Sequence, residues 1–67
     1  PRVSENQVRW LRELASGATV AHLANEEGYS EREMYRLLKK LYDRFGVATR
    51  TEALIRANAY GWLDAEM

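Results

Sequence analysis

Arg32, Tyr35, Arg36 and Lys39 recur at the three- and four-residue spacing that brings side chains together on one face of a helix. An arginine offers a planar fork that bonds two acceptors at once, as on the O6/N7 edge of guanine. A lysine is a point charge that serves either a base or a phosphate. The tyrosine between them has two readings: contact with a thymine methyl or a phosphate, or plain packing over the turn near Tyr29. Charged side chains are mostly a solvated surface, so these cations acquire a meaning only from the elements that hold them.

Other chemistry is sparse. His22 is the only histidine and there is no cysteine, so no ligand set of zinc-site spacing exists, and His22 reads as a helix-surface residue. Glu26 and Glu27 are adjacent, which on a helix turns them about 100° apart, and they read as surface charge instead of an acid–base pair. No nucleophile–base or metal constellation is present, so neither an enzyme nor a cofactor is expected.

The cations belong to the stretch GYSEREMYRLLKKLYDRFGV, residues 28–47. Met34, Leu37, Leu38, Leu41 and Phe45 fall on one sector of a helical projection, and Arg32, Tyr35, Arg36, Lys39 and Asp43 on the opposite one. The spacing i, i+3, i+4, i+7 predicts a helix buried on one face. Its flanks repeat along the chain: Ser4–Gln7, Ser30–Glu33 and Thr49–Glu52 each spell a capping box, Ser/Thr-x-x-Glu/Gln. Thr19 supplies a fourth cap, with His22 where the box would have an acid. Each cap is worth about 1 kcal/mol. Gly17, Gly28, Gly46 and Gly61 follow the apolar sets, where a glycine ends a helix at no steric cost. Four helices starting near Glu5, Val20, Glu31 and Arg50 are predicted, the last over 49–61, in one all-α domain over 3–64.

Composition agrees. The chain has 67 residues, 46% hydrophobic, with Trp10, Trp62 and Phe45 as the largest core candidates. A domain of this size buries only about 60% of its unfolded surface. Net charge is zero, which argues against a polyanion-coating protein; the positive charge is concentrated on the third helix, while Asp64 and Glu66 lie in the tail. No apolar stretch reaches the length of a membrane span. The chain opens on Pro1 instead of Met and reads as a piece of a longer protein whose N-terminal regulatory domain would precede it.

The second and third predicted helices are separated by Gly28-Tyr29, with Ser30 as the next cap. Counted from Val20, Ala24 is fifth, Gly28 ninth and Met34 fifteenth. A helix-turn-helix unit, here 19–45, needs a small residue where two helices cross, a glycine at the turn and an aliphatic residue in the angle. Such a unit presents its second helix, and the major groove of B-DNA admits one helix.

With these residues the chain resembles the LuxR/NarL-type (GerE-like) helix-turn-helix domain of bacterial transcriptional regulators. The resemblance is carried by LRELASG (11–17), Thr19, Leu23-Ala24, SEREM (30–34) and above all RFGVATRTEALIRA (44–57), and it spans about residues 3–63. It implies a four-helix fold, sequence-specific binding of double-stranded DNA in the bacterial cytoplasm, and a homodimer on DNA. Base contacts are implied for Arg36, Lys39 and Tyr35, and phosphate contacts for Thr19, Lys40 and Arg50. The family dimerises through its fourth helix, which implicates Leu54, Ala57, Asn58 and Tyr60; read from periodicity alone, Leu54, Ala57 and Tyr60 serve equally as intramolecular core. Departures from the family pattern are Glu33 in place of a threonine, Val20-Ala21-His22 in place of a polar segment, and Gln7 and Arg9 in place of first-helix glutamates. They leave a second reading, in which the scaffold serves as a protein-interaction or dimerisation module with weak or no DNA binding.

Overall fold

A computed structural model describes residues 3–63; Asp64, Glu66 and the expected domain end at 64 lie outside the described residues. Four helices follow in order: α1 Glu5–Ala15, α2 Val20–Glu27, α3 Glu31–Phe45 and α4 Arg50–Ala59. There is no strand among the described residues. The fold is all-α.

Each helix starts one residue after the side chain that caps it. The hydroxyls of Ser4, Thr19, Ser30 and Thr49 accept from the backbone N–H groups of Gln7, His22, Glu33 and Glu52 at 3.0–3.2 Å. Only Ser4 closes the reciprocal half of the box, where Gln7 Oε1 accepts from the Ser4 N–H at 3.0 Å. The Glu33 carboxylate instead turns to Arg36. That of Glu52 accepts from the N–H of Ala48, one residue before the cap, at 2.8 Å. The caps were legible in the sequence; the second partners of these glutamates were not.

The turn between α2 and α3 shows why the ninth residue is a glycine. Gly28 has φ 80°, the left-handed conformation that costs other L-residues about 1–2 kcal/mol. It lets the N–H of Tyr29 reach back to the Ala24 carbonyl at 2.9 Å, while its own N–H reaches Asn25 at 3.3 Å, the paired bonds of a Schellman motif. Ala24 is itself buried, and Met34, fully buried, fills the core beyond the turn. α3 packs chiefly on α2, and α4 on both α1 and α3.

The core draws on all four helices. Leu11, Leu23, Met34, Leu38 and Leu41 are its largest fully enclosed side chains, with Trp10 and Phe45 beside them. Leu37 is only partly buried, and Ala15, at the end of α1, is exposed. Three arginines tie the periphery together. Arg9 Nη2 pairs with Glu27 at 2.6 Å between α1 and α2. Arg56 donates to the Phe45 carbonyl at 2.7 Å, holding α4 to the end of α3. Arg12 donates to the Trp62 carbonyl at 2.7 Å, drawing the segment after α4 onto α1. Trp62 is thereby partly buried, its ring 5.5 Å from that of Phe45 and 4.9 Å from that of Tyr60.

Candidate nucleic-acid interface

The apolar face of α3 is spent on the core, so its opposite face is free. Arg32, Tyr35, Arg36, Lys39 and Lys40 are all exposed. On one flank of this face lies a groove of about 350 Å³ lined by Val20, Tyr35, Leu38, Lys39, Tyr42, Ala48 and Arg50. Val20 is the first residue of α2 and Arg50 the first of α4. The groove therefore joins three of the expected contact residues, Tyr35, Lys39 and Arg50, and sets the N-terminal ends of two other helices beside α3. Thr19, the α2 cap, is exposed next to Val20. Arg36 and Lys40 do not line the groove; they occupy the strip of α3 next to it.

Tyr42 belongs to the groove and was missed in the sequence, although its spacing of seven from Tyr35 repeats two helical turns on one face. Burial pushes its phenol above the ordinary value of 10.0, with the Arg50 charge opposing and Tyr35 adding to the shift. The phenol stays protonated at neutral pH and is a hydrogen-bond donor beside Lys39 and Arg50.

The two cations expected to read bases are both paired on their own helix. Arg36 Nη2 donates to both carboxylate oxygens of Glu33 at 2.6 and 2.7 Å, and Lys39 Nζ lies 4.0 Å from Asp43. Exposed pairs of this kind contribute about 0.2–1 kcal/mol, whereas a good bidentate contact to a base is worth about 1–3 kcal/mol. Neither pair therefore closes off its cation. Among the described residues Arg32, Lys40, Arg44 and Arg50 form no ion pair.

On α4 the outer surface differs from the expected seam. Ala57 is fully buried, as is Ala53 one turn earlier, so Ala57 faces this chain's own core and is not available to a partner. Leu54 is partly buried against the core, Tyr60 packs on Phe45 and Trp62 while keeping 43% of its surface exposed, and Asn58 is exposed. With Ala53 and Ala57 inward, the residue turned farthest out is Ile55, 66% exposed, which sequence reading overlooked.

Comparison with protein-family models, with curated proteins and with solved structures gave no match. The functional reading therefore rests on this geometry and on the resemblance carried by the sequence.

The remaining polar clusters are peripheral. His22 Nε2 lies 3.4 Å from Glu26, while Glu27 turns to Arg9, so the adjacent glutamates diverge. No group of three or more metal-ligating side chains occurs among the described residues. At the α1–α2 contact the carboxyl of Glu13 is held above its ordinary range, first by a hydrogen bond with Glu26, then by burial and the Glu26 charge, with Arg9 and His22 opposing.

Proposed function

We propose that this chain is a sequence-specific DNA-binding domain of a bacterial transcriptional regulator, of the LuxR/NarL helix-turn-helix type, with α3 in the major groove. One observation carries the reading: the cationic outer face of α3 stands beside the N-terminal ends of α2 and α4 around a single groove. A helix is about 10–12 Å across with its side chains and the major groove about 12 Å wide, so α3 fits edge to edge. Helix N-termini attract phosphate through their free N–H groups and dipole, which places Thr19 and Arg50 toward the DNA backbone. Lys40, on the neighbouring strip and without an ion pair among the described residues, takes a second phosphate. Arg36, Lys39 and Tyr35 then meet base edges.

A nearly neutral module binds weakly alone, and dimerisation through the outer face of α4 doubles its contacts over two half-sites. Ile55 is the outermost large apolar side chain of that face, with exposed Asn58 three residues on; Leu54 and Tyr60, partly turned to this chain's own core, flank it. The same residue favours the second reading, an interaction module in which α4 meets a protein and α3 meets nothing. No helix among the described residues is long and apolar enough to cross a membrane, and the cytoplasm is the proposed compartment.

Selection from a random-sequence duplex pool at low and moderate salt separates the two. A DNA reader enriches a symmetric site, and Arg36→Ala and Lys39→Ala relax or abolish it. No enrichment at protein concentrations well above micromolar refutes the reading in favour of the interaction module.

A further inference from the structure

Glu33 puts a negative charge on the first turns of α3, where a helix that reads DNA is least served by one. Its backbone N–H is the one capped by Ser30, at 3.1 Å, and its side chain takes no part in the cap. Both carboxylate oxygens are given to Arg36 instead, at 2.6 and 2.7 Å from Nη2. The acid is the less exposed partner, with 35% of its side chain open to solvent against 62% for the arginine, so the guanidinium stands outward of the carboxylate. Only one guanidinium nitrogen is engaged. The two oxygens of one carboxylate lie too close together to take both diverging Nη2 hydrogens and share one of them; the other, with the neighbouring Nε–H or Nη1 hydrogen that has no partner among the described residues, leaves one fork for the guanine O6/N7 edge.

We infer that Glu33 is a positioning residue that holds Arg36 oriented for a guanine, and that each half-site contains a G·C pair read by this couple. The inference rests on the DNA-reading proposal. Three physical consequences support it. The pair draws Arg36 toward the N-terminal end of α3, the end that helix-turn-helix proteins set against base edges. It removes rotamer freedom from a long side chain before DNA arrives, and the cost of ordering one such side chain corresponds to about two- to tenfold in affinity. The carboxylate also repels phosphate whatever the sequence, which lowers non-specific binding while the guanine contact is retained.

The test is pool selection with the whole chain as wild type, Glu33→Gln, Arg36→Ala and the double variant. Arg36→Ala abolishes a guanine preference at one position per half-site. Glu33→Gln, close in shape and leaving the Ser30 cap intact, lowers that preference about two- to tenfold and raises affinity for unrelated duplex. Added to Arg36→Ala it changes no base preference. Equal helix content by circular dichroism is the control. Should Glu33→Gln not fold, Arg36→Lys, which keeps the ion pair and loses the fork, must lose the guanine preference while retaining affinity for unrelated duplex.

An unchanged guanine preference in Glu33→Gln overturns the inference and leaves the DNA reader standing. So does a base preference that shifts with Glu33→Gln in the absence of Arg36, because Glu33 would then act by itself. So does an Arg36-sensitive position without guanine. No enriched site with wild type overturns the DNA-reading proposal and this inference with it.

Discussion

Salt tests the division of labour among the cations. In the proposed complex Lys40 and Arg50 neutralise phosphates, while Arg36 and Lys39 are turned to bases; Thr19 is uncharged and displaces no counterion. Two charged contacts per copy make four in a dimer, and a slope of log affinity against log salt near about −3.6. A fourfold rise in salt, from about 50 to 200 mM, then weakens binding by about 150-fold. Lys40→Ala removes two of the four contacts, halves the slope and leaves a loss of about 12-fold over the same range. Lys40 is exposed and makes no ion pair among the described residues, so its removal does not disturb the fold. Fluorescence anisotropy of a labelled duplex carrying the selected site, titrated across a salt series, measures both slopes. A wild-type slope shallower than about −1 refutes electrostatic docking altogether. A slope near about −7 refutes the division, because Arg36 and Lys39 would then also sit on phosphates. Equal slopes for wild type and Lys40→Ala remove Lys40 from the backbone contacts.

Three further outcomes follow from the geometry. A Cβ built at Gly28 meets nothing within 4 Å, so Gly28→Ala costs only the left-handed backbone, about 1–2 kcal/mol, with Gly28→Asn milder, as urea unfolding would show. A loss above about 3 kcal/mol would mean that the turn is constrained by more than its φ. Ile55→Lys, at the exposed large apolar side chain of α4, abolishes the proposed dimerisation on DNA in sedimentation experiments and leaves the thermal midpoint of the free chain unchanged. The raised Glu13 pKa means that the folded state holds its proton more tightly than the unfolded chain. Its stabilisation is complete below the ordinary value of 4.5 and is lost as pH rises through the folded-state value. Glu13→Gln therefore raises the thermal midpoint at neutral pH, and its advantage over wild type shrinks as pH falls toward 4.5; an advantage that stays constant or grows on acidification would refute the Glu13–Glu26 couple.

The helix starts were legible because capping is local: a hydroxyl and an amide three residues on decide it, and all four caps stand where the sequence puts them. The buried face of α3 was legible for the same reason, since one helical phase orders Met34, Leu38, Leu41 and Phe45. What failed depends on choices between partners. Glu33 and Glu52 each had a cap N–H and another donor within reach, and spacing does not rank those; both went elsewhere. The resemblance implied Ala57 at a seam and periodicity left core equally open, because α4 is weakly amphipathic, with small residues on the side it buries. Its phase becomes clear only once Ala53 and Ala57 are seen to dock, which leaves Ile55 outermost. The groove at Tyr42 depends on how α4 returns to α3, a placement held by the bond from Arg56 to the Phe45 carbonyl and written in no single segment.

A chain of zero net charge cannot rely on long-range attraction to polyanions, and that bears on what kind of reader the proposal describes. Non-specific affinity comes almost wholly from phosphate neutralisation, and here two of the cations on α3 are offset by acids one turn away. A phosphate meeting Arg36 gains a contact while suffering the repulsion of Glu33. A guanine edge, neutral overall, gains the contact without that repulsion. At Lys39 the pair is 4.0 Å long, near the limit of contact, and its acid exerts less hold. The acids thus subtract more from binding to any duplex than from binding to the chosen one. In the proposed reader selectivity is gained at the cost of affinity, which the proposed dimer through α4 restores.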